Sequence, residues 1–216
     1  MLSEVAAWTA DFLRNAAETG VEFYNEAALQ HELGIYLRSR LPRDHRLQFE
    51  RPVGYFIQPA PRLGKKEIDI VIFARQDGGE RIAIEIKCPR SGQYPEQMFK
   101  ACQDLEFLER LTDAGFSGGL FVMHVVDPLF FARGRRHGIY GPFRAGEALS
   151  GEVSKPTDAR GSSATLRGRY AVEWTRATDG SVAWVQPVRP AGATGFASGG
   201  ATIDRHLHAG DKRTPA

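Results

Sequence analysis

The chain has 216 residues, 42% of them hydrophobic and 25% charged, with a net charge of +2. That size fits one well-buried domain with appendages and excludes two large ones, while the near-balanced charge excludes the strongly basic composition that announces a nucleic-acid partner by itself. No apolar run is long enough to span a bilayer, and the first residues carry acids where a secretory leader needs a basic start, so a cytoplasmic location without a membrane partner is expected.

Residues 3–19 place Val5, Trp8, Phe12, Leu13 and Ala16 at helical spacing, which predicts a first helix. A second should start after Asn25, a good N-cap, and run to about Arg40, with Leu29, Leu33, Tyr36 and Leu37 forming its apolar stripe. Pro42 ends it. Residues 48–56 read as a strand, and the prolines and glycine of 59–66 as a loop. Glu67–Ala74 and Arg81–Cys88 both alternate, and the Asp77-Gly78 pair between them favours a tight hairpin turn. A helix over 95–111 follows, with Met98, Cys102, Leu105, Leu108 and Leu111 on one side, and then a near-continuous apolar strand over 120–126. This order predicts an α/β fold with a mixed central sheet in a domain spanning 1–150. Residues 151–165, rich in Gly, Ser, Thr and Lys, read as a mobile linker. A C-terminal β-hairpin around Asp179-Gly180 extends the chain to 189, and a Gly/Ala/Thr-rich tail over 190–216 is expected to be disordered.

The chemistry concentrates in the hairpin of 67–88. Strand alternation puts Asp69 on one face with Val71 and Phe73, and Glu85 and Lys87 on one face with Ala83. A turn near Gly78 sets Asp69 opposite Lys87, with Glu85 a diagonal neighbour about 7–8 Å away or less. Two close carboxylates repel unless something compensates. A hard divalent cation does so: Mg²⁺ takes oxygen ligands, often one or two carboxylates plus substrate phosphate, and makes water acidic enough to attack near neutral pH. A lysine beside the pair can orient that water and neutralise charge growing on a phosphate. The alternative is an ordinary charged, solvated hairpin face, against which stand the apolar Val71, Phe73 and Ala83 beside the charges.

Asp69, fifteen intervening residues and then Glu85-Ile86-Lys87 resemble the PD-(D/E)xK phosphodiesterases, the restriction-endonuclease-like superfamily, over about residues 22–126. The resemblance implies an α-β-β-β-α-β core and a Mg²⁺-dependent endonuclease, with Mn²⁺ as substitute cofactor, acting on DNA, with RNA as the other possible substrate. Asp69 and Glu85 would bind metal and Lys87 would help to activate water. A further glutamate from the first core helix is implied, and both Glu26 and Glu32 are candidates, with Glu26 preferred as a third metal ligand. Gln97 and Lys100 are similar to polar residues that such enzymes set beside the metal. Pairing of two subunits, as in nucleases of this kind that cut both strands, is compatible with the sequence. One departure is that Ile68, not proline, precedes Asp69.

Further basic residues fit a nucleic-acid contact. Lys65 and Lys66 precede the Asp69 strand, where they would touch phosphate or keep the hairpin soluble. Arg133, Arg135 and Arg136 lie in a segment with Phe130, Phe131, Tyr140 and Phe143 and no acid, a mixture that suits phosphate contact and stacking or a solvated loop. His124 reads as a core histidine, and His206 and His208 as tail composition. Cys88 and Cys102 are expected as reduced, half-buried thiols. The rival reading of the whole is a nuclease-like fold without turnover that binds nucleic acid or a protein partner.

Overall fold

A stripe of apolar residues and one capping side chain explain the first two helices of the computed structural model, which describes residues 1–59, 63, 65–76, 78–156 and 161–192. Helix α1 (Leu2–Asn15) buries Leu2, Val5, Phe12 and Leu13, and a short 3-10 turn at Ala16–Thr19 follows it. Helix α2 (Glu26–Arg40) buries Leu29, Leu33 and Leu37 at i, i+4 and i+8. Asn25 is extended and its side chain accepts from the Ala28 amide at 2.7 Å, satisfying a donor that the first helical turn cannot satisfy itself.

Strand β1 (His45–Pro52) is followed by β2 (Glu67–Ala74), β3 (Arg81–Lys87), helix α3 (Tyr94–Asp113) and β4 (Gly118–Val125). Beyond them come α4 (Tyr140–Ala145), β5 (Ala148–Ser154), β6 (Ser163–Ala171), β7 (Thr175–Arg176) and β8 (Val182–Val188). Six strands form a mixed sheet in the order β1-β2-β3-β4-β8-β7, and β5 and β6 form a separate two-stranded sheet. Within the large sheet β3 and β4 are parallel, joined by the α3 crossover, and the other pairs are antiparallel.

Alternation in β2, β3 and β4 sends each strand's apolar residues to two different layers. Ile70, Ile72, Ile82, Ile84, Ile86, Leu120 and Val122 pack with the leucines of α1 and α2. Val71, Ala83, Phe121 and Met123 pack with Phe99, Cys102 and Leu105 of α3. Each such fully buried isoleucine, valine or phenylalanine stabilises the fold by about 1.5–3 kcal/mol relative to exposure, so the central strands are fixed from both faces. The β5–β6 pair packs over α3, mainly through β6. Among the described residues no helix is long and apolar enough to cross a membrane.

Several expectations need correction. The first strand starts at His45 and stops at Pro52, where a 3-10 turn at Val53–Tyr55 takes over. The hairpin between β2 and β3 closes with Ala74 N–H donating to Glu80 O at 2.9 Å. That leaves five residues between the paired ends in place of the expected tight turn, and Asp77 lies outside the described residues. Ile70 therefore faces Ile84 and Ile72 faces Ile82. Carried one step further, this register sets Asp69 across from Glu85, not from Lys87. The expected linker over 151–165 contains the end of β5 and the start of β6, which pair directly; residues 157–160 lie outside the described residues. The hairpin around Asp179-Gly180 is reduced to two residue pairs, Thr175 with Ala183 and Arg176 with Val182. β8 pairs along its whole length with β4, because its alternation buries Val182, Trp184 and Val188 in the α3 layer. The tail from 193 onward, with His206 and His208, lies outside the described residues.

Candidate functional site, a carboxylate and lysine cluster between the sheet and α3

Asp69 of β2 and Glu85 of β3 point into the α3 layer next to Val71 and Ala83. Glu85 is fully buried and Asp69 largely so. Asp69 Oδ2 accepts from the Ile86 amide at 2.8 Å, and Glu85 Oε1 lies 3.4 Å from the Asp69 amide. Each carboxylate thus takes a ladder donor of the opposite strand, which is why strand pairing ends at Ile70 and Ile84. On the β1 side, the Gln30 side-chain amide donates to Asp69 O and to Glu50 Oε1, both at 2.7 Å. Glu50 sits at φ 47°, an uncommon backbone state for a residue with a side chain.

Two lysines and a third carboxylate complete the cluster. Lys65 Nζ touches Glu85 Oε2, and lies 3.5 Å from Asp69 Oδ1 and 3.3 Å from Asp104 Oδ1 of α3. Lys87 Nζ lies 3.0 Å from Asp104 Oδ2 and 3.4 Å from Glu26 Oε1, and donates to Ile86 O at 2.9 Å. Asp104 Oδ2 has Lys87 Nζ as its ion-pair partner. Asp104 is buried to 4% exposure. It therefore bridges two ammonium groups from inside the protein.

Glu26 opens α2, and its Oε2 also lies 3.3 Å from the Cys88 amide. Arg90 donates to Phe23 O at 2.5 Å and ties the segment after β3 to the approach to α2. That pair of contacts holds Glu26 beside Lys87. Glu32 is elsewhere, paired with His31 and lining a groove between α1 and α2 with Phe12, Ile35 and Tyr36. Of the two helix glutamates only Glu26 reaches the cluster, and it reaches Lys87, not the carboxylates of Asp69, Glu85 and Asp104.

Burial and crowding set the protonation of the cluster. Burial, and then the neighbouring charges of Asp69 and Asp104, push the Glu85 carboxyl well above the usual carboxylate range, against the pull of Lys65. For Lys65 burial acts downward, but the carboxylates of Glu85, Asp104 and Asp69 outweigh it and hold the ammonium above its ordinary value. Lys87 follows the same pattern, with burial opposed by Asp104 and Glu26. Both lysines stay charged at neutral pH.

A cleft of about 300 Å³ opens beside the cluster. Lys65, Lys87, Lys100 and Arg110 line it together with Asp104 and Phe107, and α3 supplies most of that wall through residues spaced three and four apart. Glu106 also lines it and pairs with Arg110 at 2.5 Å, so the cleft mixes four cations with two acids. Gln97 sits one turn before Lys100, outside the lining. Lys66 is exposed and its carbonyl accepts from Val53 N at 2.8 Å. Arg133, Arg135 and Arg136 are exposed in the loop between β4 and α4. That loop leaves the carboxyl end of β4, which is parallel to β3 and so shares its edge with Lys87. Tyr94 Oη donates to Asp127 Oδ2 at 2.6 Å and pins the start of the loop to the start of α3. Cys88 and Cys102 are free and more deeply buried than expected, and burial raises their thiols to about 11 and about 12. His124 is buried in β4, its ring edge-on to Phe23.

Sequence reasoning missed Asp104 and did not place Lys65 among the carboxylates. The signal for Asp104 was available: an acid three residues after Ala101 and four before Leu108, on the buried stripe of α3. For Lys65 the sequence offered phosphate contact or hairpin solubility, and the structure points its ammonium at the carboxylates. Among the described residues no three His, Cys, Asp or Glu side chains stand ready-made around a metal position; the three carboxylates that converge surround the Lys65 ammonium. Their donor set, all carboxylate oxygen, is of the kind that hard divalent cations take.

No family model matches the chain, and no curated protein matches it. Among solved structures the crystal structure of SSO0001 is similar at 20% identity, covering 57% of this chain and 61% of that one, with a TM-score of 0.24. A likeness so slight carries no argument about fold or function.

Proposed function

We propose that the protein is a divalent-metal-dependent nuclease hydrolysing phosphodiester bonds of DNA, on a restriction-endonuclease-like core of α2, β1–β3, α3 and β4. One observation carries the reading: Asp69 and Glu85 of one hairpin meet at the Lys65 ammonium, and Asp104 links that group to Lys87 beside a cleft that Lys65, Lys87, Lys100, Asp104 and Arg110 help to line. Asp69 and Glu85 would hold Mg²⁺, or Mn²⁺ in its place. When bound, the cation supplies Lewis acidity toward a phosphoryl oxygen and toward water.

The chain's own residues do the remaining work. Lys87, charged and held by Asp104 and Glu26, presents an ammonium to the negative charge that grows on the phosphate during attack. Lys100 and Arg110 bind flanking phosphates in the cleft, and Arg133, Arg135 and Arg136 extend that contact along the backbone. Phe107 forms an apolar side of the cleft. The test is cleavage of plasmid and single-stranded DNA with Mg²⁺ or Mn²⁺ by the wild type, Asp69→Ala and Lys87→Ala. Metal-dependent cutting by the wild type that disappears in both folded variants supports the assignment. An uncut substrate together with a melting temperature indifferent to metal sinks it.

A second reading has one observation in its favour. The Lys65 ammonium already neutralises the carboxylates, as it would in a catalytically silent module that binds nucleic acid or a protein partner. Such a module would bind DNA equally well with metal and with chelator.

A further inference from the structure

We infer that Lys65 is a built-in counter-cation, whose ammonium holds the divalent-ion position of the site, and that Asp104 is the third carboxylate of that position. The inference deepens the nuclease reading and rests on it for the identity of the ion. Two observations carry it. Asp69, Glu85 and Asp104, from β2, β3 and α3, each present an oxygen to the single Lys65 ammonium. Glu26, the third ligand expected from sequence, instead faces Lys87 Nζ and the Cys88 amide.

The position of Lys65 in the chain allows exchange. Its side chain is one-third exposed, whereas Glu85 and Asp104 are almost completely buried, so the carboxylates are fixed and the lysine is the partner that can leave. Lys65 also lines the cleft. A divalent ion entering among the carboxylates displaces the ammonium by like-charge repulsion and takes over its oxygens. The released ammonium moves into the cleft and adds to the cations that meet phosphate. Without metal, Lys65 keeps three buried carboxylates from repelling one another; with metal, it becomes a substrate contact.

The experiment is Mn²⁺ titration of the full chain by calorimetry and by thermal shift, for the wild type and for Lys65→Met, Asp104→Asn and Glu26→Gln. Lys65→Met should melt lower than the wild type in chelator and bind Mn²⁺ about tenfold more tightly, Asp104→Asn should bind about tenfold more weakly than the wild type, and Glu26→Gln should stay within about twofold. Mn²⁺ affinity of folded Lys65→Met equal to or below that of the wild type overturns the inference, as does a larger loss in Glu26→Gln than in Asp104→Asn. Should Lys65→Met not fold without metal, reductive methylation of the wild type read by mass spectrometry decides: Lys65 labelling must rise when Mn²⁺ is added, and unchanged labelling overturns the inference. Failure of the nuclease reading is separate. Tight Mn²⁺ binding by Lys65→Met with no DNA cleavage by the wild type would keep the counter-cation and remove the enzyme.

Discussion

Replacing Glu109 with alanine removes one acceptor from three donors at once. Glu109 is buried in α3 at 3% exposure. Its Oε1 accepts from Gly168 N at 2.7 Å and Tyr170 Oη at 2.6 Å, and its Oε2 from Arg167 N at 2.8 Å. These bonds pin β6 to α3, and Gly168 is required there because a Cβ would come within 2.7 Å of the Tyr170 ring and 3.0 Å of Glu109 Oε1. In the alanine variant two backbone amides and a phenol lose a charged acceptor, each left at a cost of about 1–3 kcal/mol, offset in part because a desolvated carboxylate is also removed. The expected net loss is about 4 kcal/mol, which for a chain of this size lowers the melting temperature by roughly 10 °C. Tyr170→Phe removes a single donor and should cost about 1–2 kcal/mol. The assay is urea denaturation followed by circular dichroism, with thermal melts alongside. A loss below about 1 kcal/mol for Glu109→Ala would refute the claim that this carboxylate holds β6 on α3.

Two further predictions concern the layer of α1 and α2. Burial lowers the His124 imidazole from 6.5 to about 4, so between those values the unfolded chain binds a proton that the folded one does not. Stability should therefore fall as pH drops from 6.5 toward 4, by roughly 3 kcal/mol from this residue; unfolding curves of His124→Leu with the same acid slope as the wild type would disprove it. Asn25→Ala removes the cap on Ala28 N and should cost about 1 kcal/mol in urea denaturation, with Asn25→Asp close to neutral; equal losses in the two variants would show that the cap oxygen contributes nothing.

The fold was legible where a single periodicity governed a segment. Leu29, Leu33 and Leu37 marked α2 because the helix has one wet face and one dry one. EIDIVIFA marked β2 to the residue, because its alternation is uninterrupted. The reading failed where pairing partners are distant in sequence. Ser181–Val188 carries the pattern of a hairpin strand, and no local feature distinguishes the two-residue β7 from the eight-residue β4 as its main partner. The glycines and serines of 151–165 signal flexibility in isolation, yet the packing of Ala164 and Leu166 on α3 overrides that tendency. The hairpin register was misread because a turn centred on Gly78 sets Asp69 opposite Lys87, whereas the pairing of Ile70 with Ile84 centres the hairpin one position earlier.

The site was legible along a strand and illegible across layers. Asp69, Glu85 and Lys87 share a face because alternation within one hairpin is a local rule, and a two-residue error in register does not change which face they share. Lys65 and Asp104, 39 residues apart in the chain, join them from a loop and from a helix, a meeting that only the α3 crossover creates. A partial signal existed in α3, where Asp104 and Glu109 interrupt an otherwise apolar buried stripe. Buried charges without local partners cost several kcal/mol each, so each predicts an opposing group from another element. Glu109 finds the β6 amides, and Asp104 finds two lysines. An acid on the dry side of a helix is thus a long-range contact written into the sequence with one end missing. In this chain both such acids end on features the sequence left unassigned, the seat of β6 and the occupant of the carboxylate cluster.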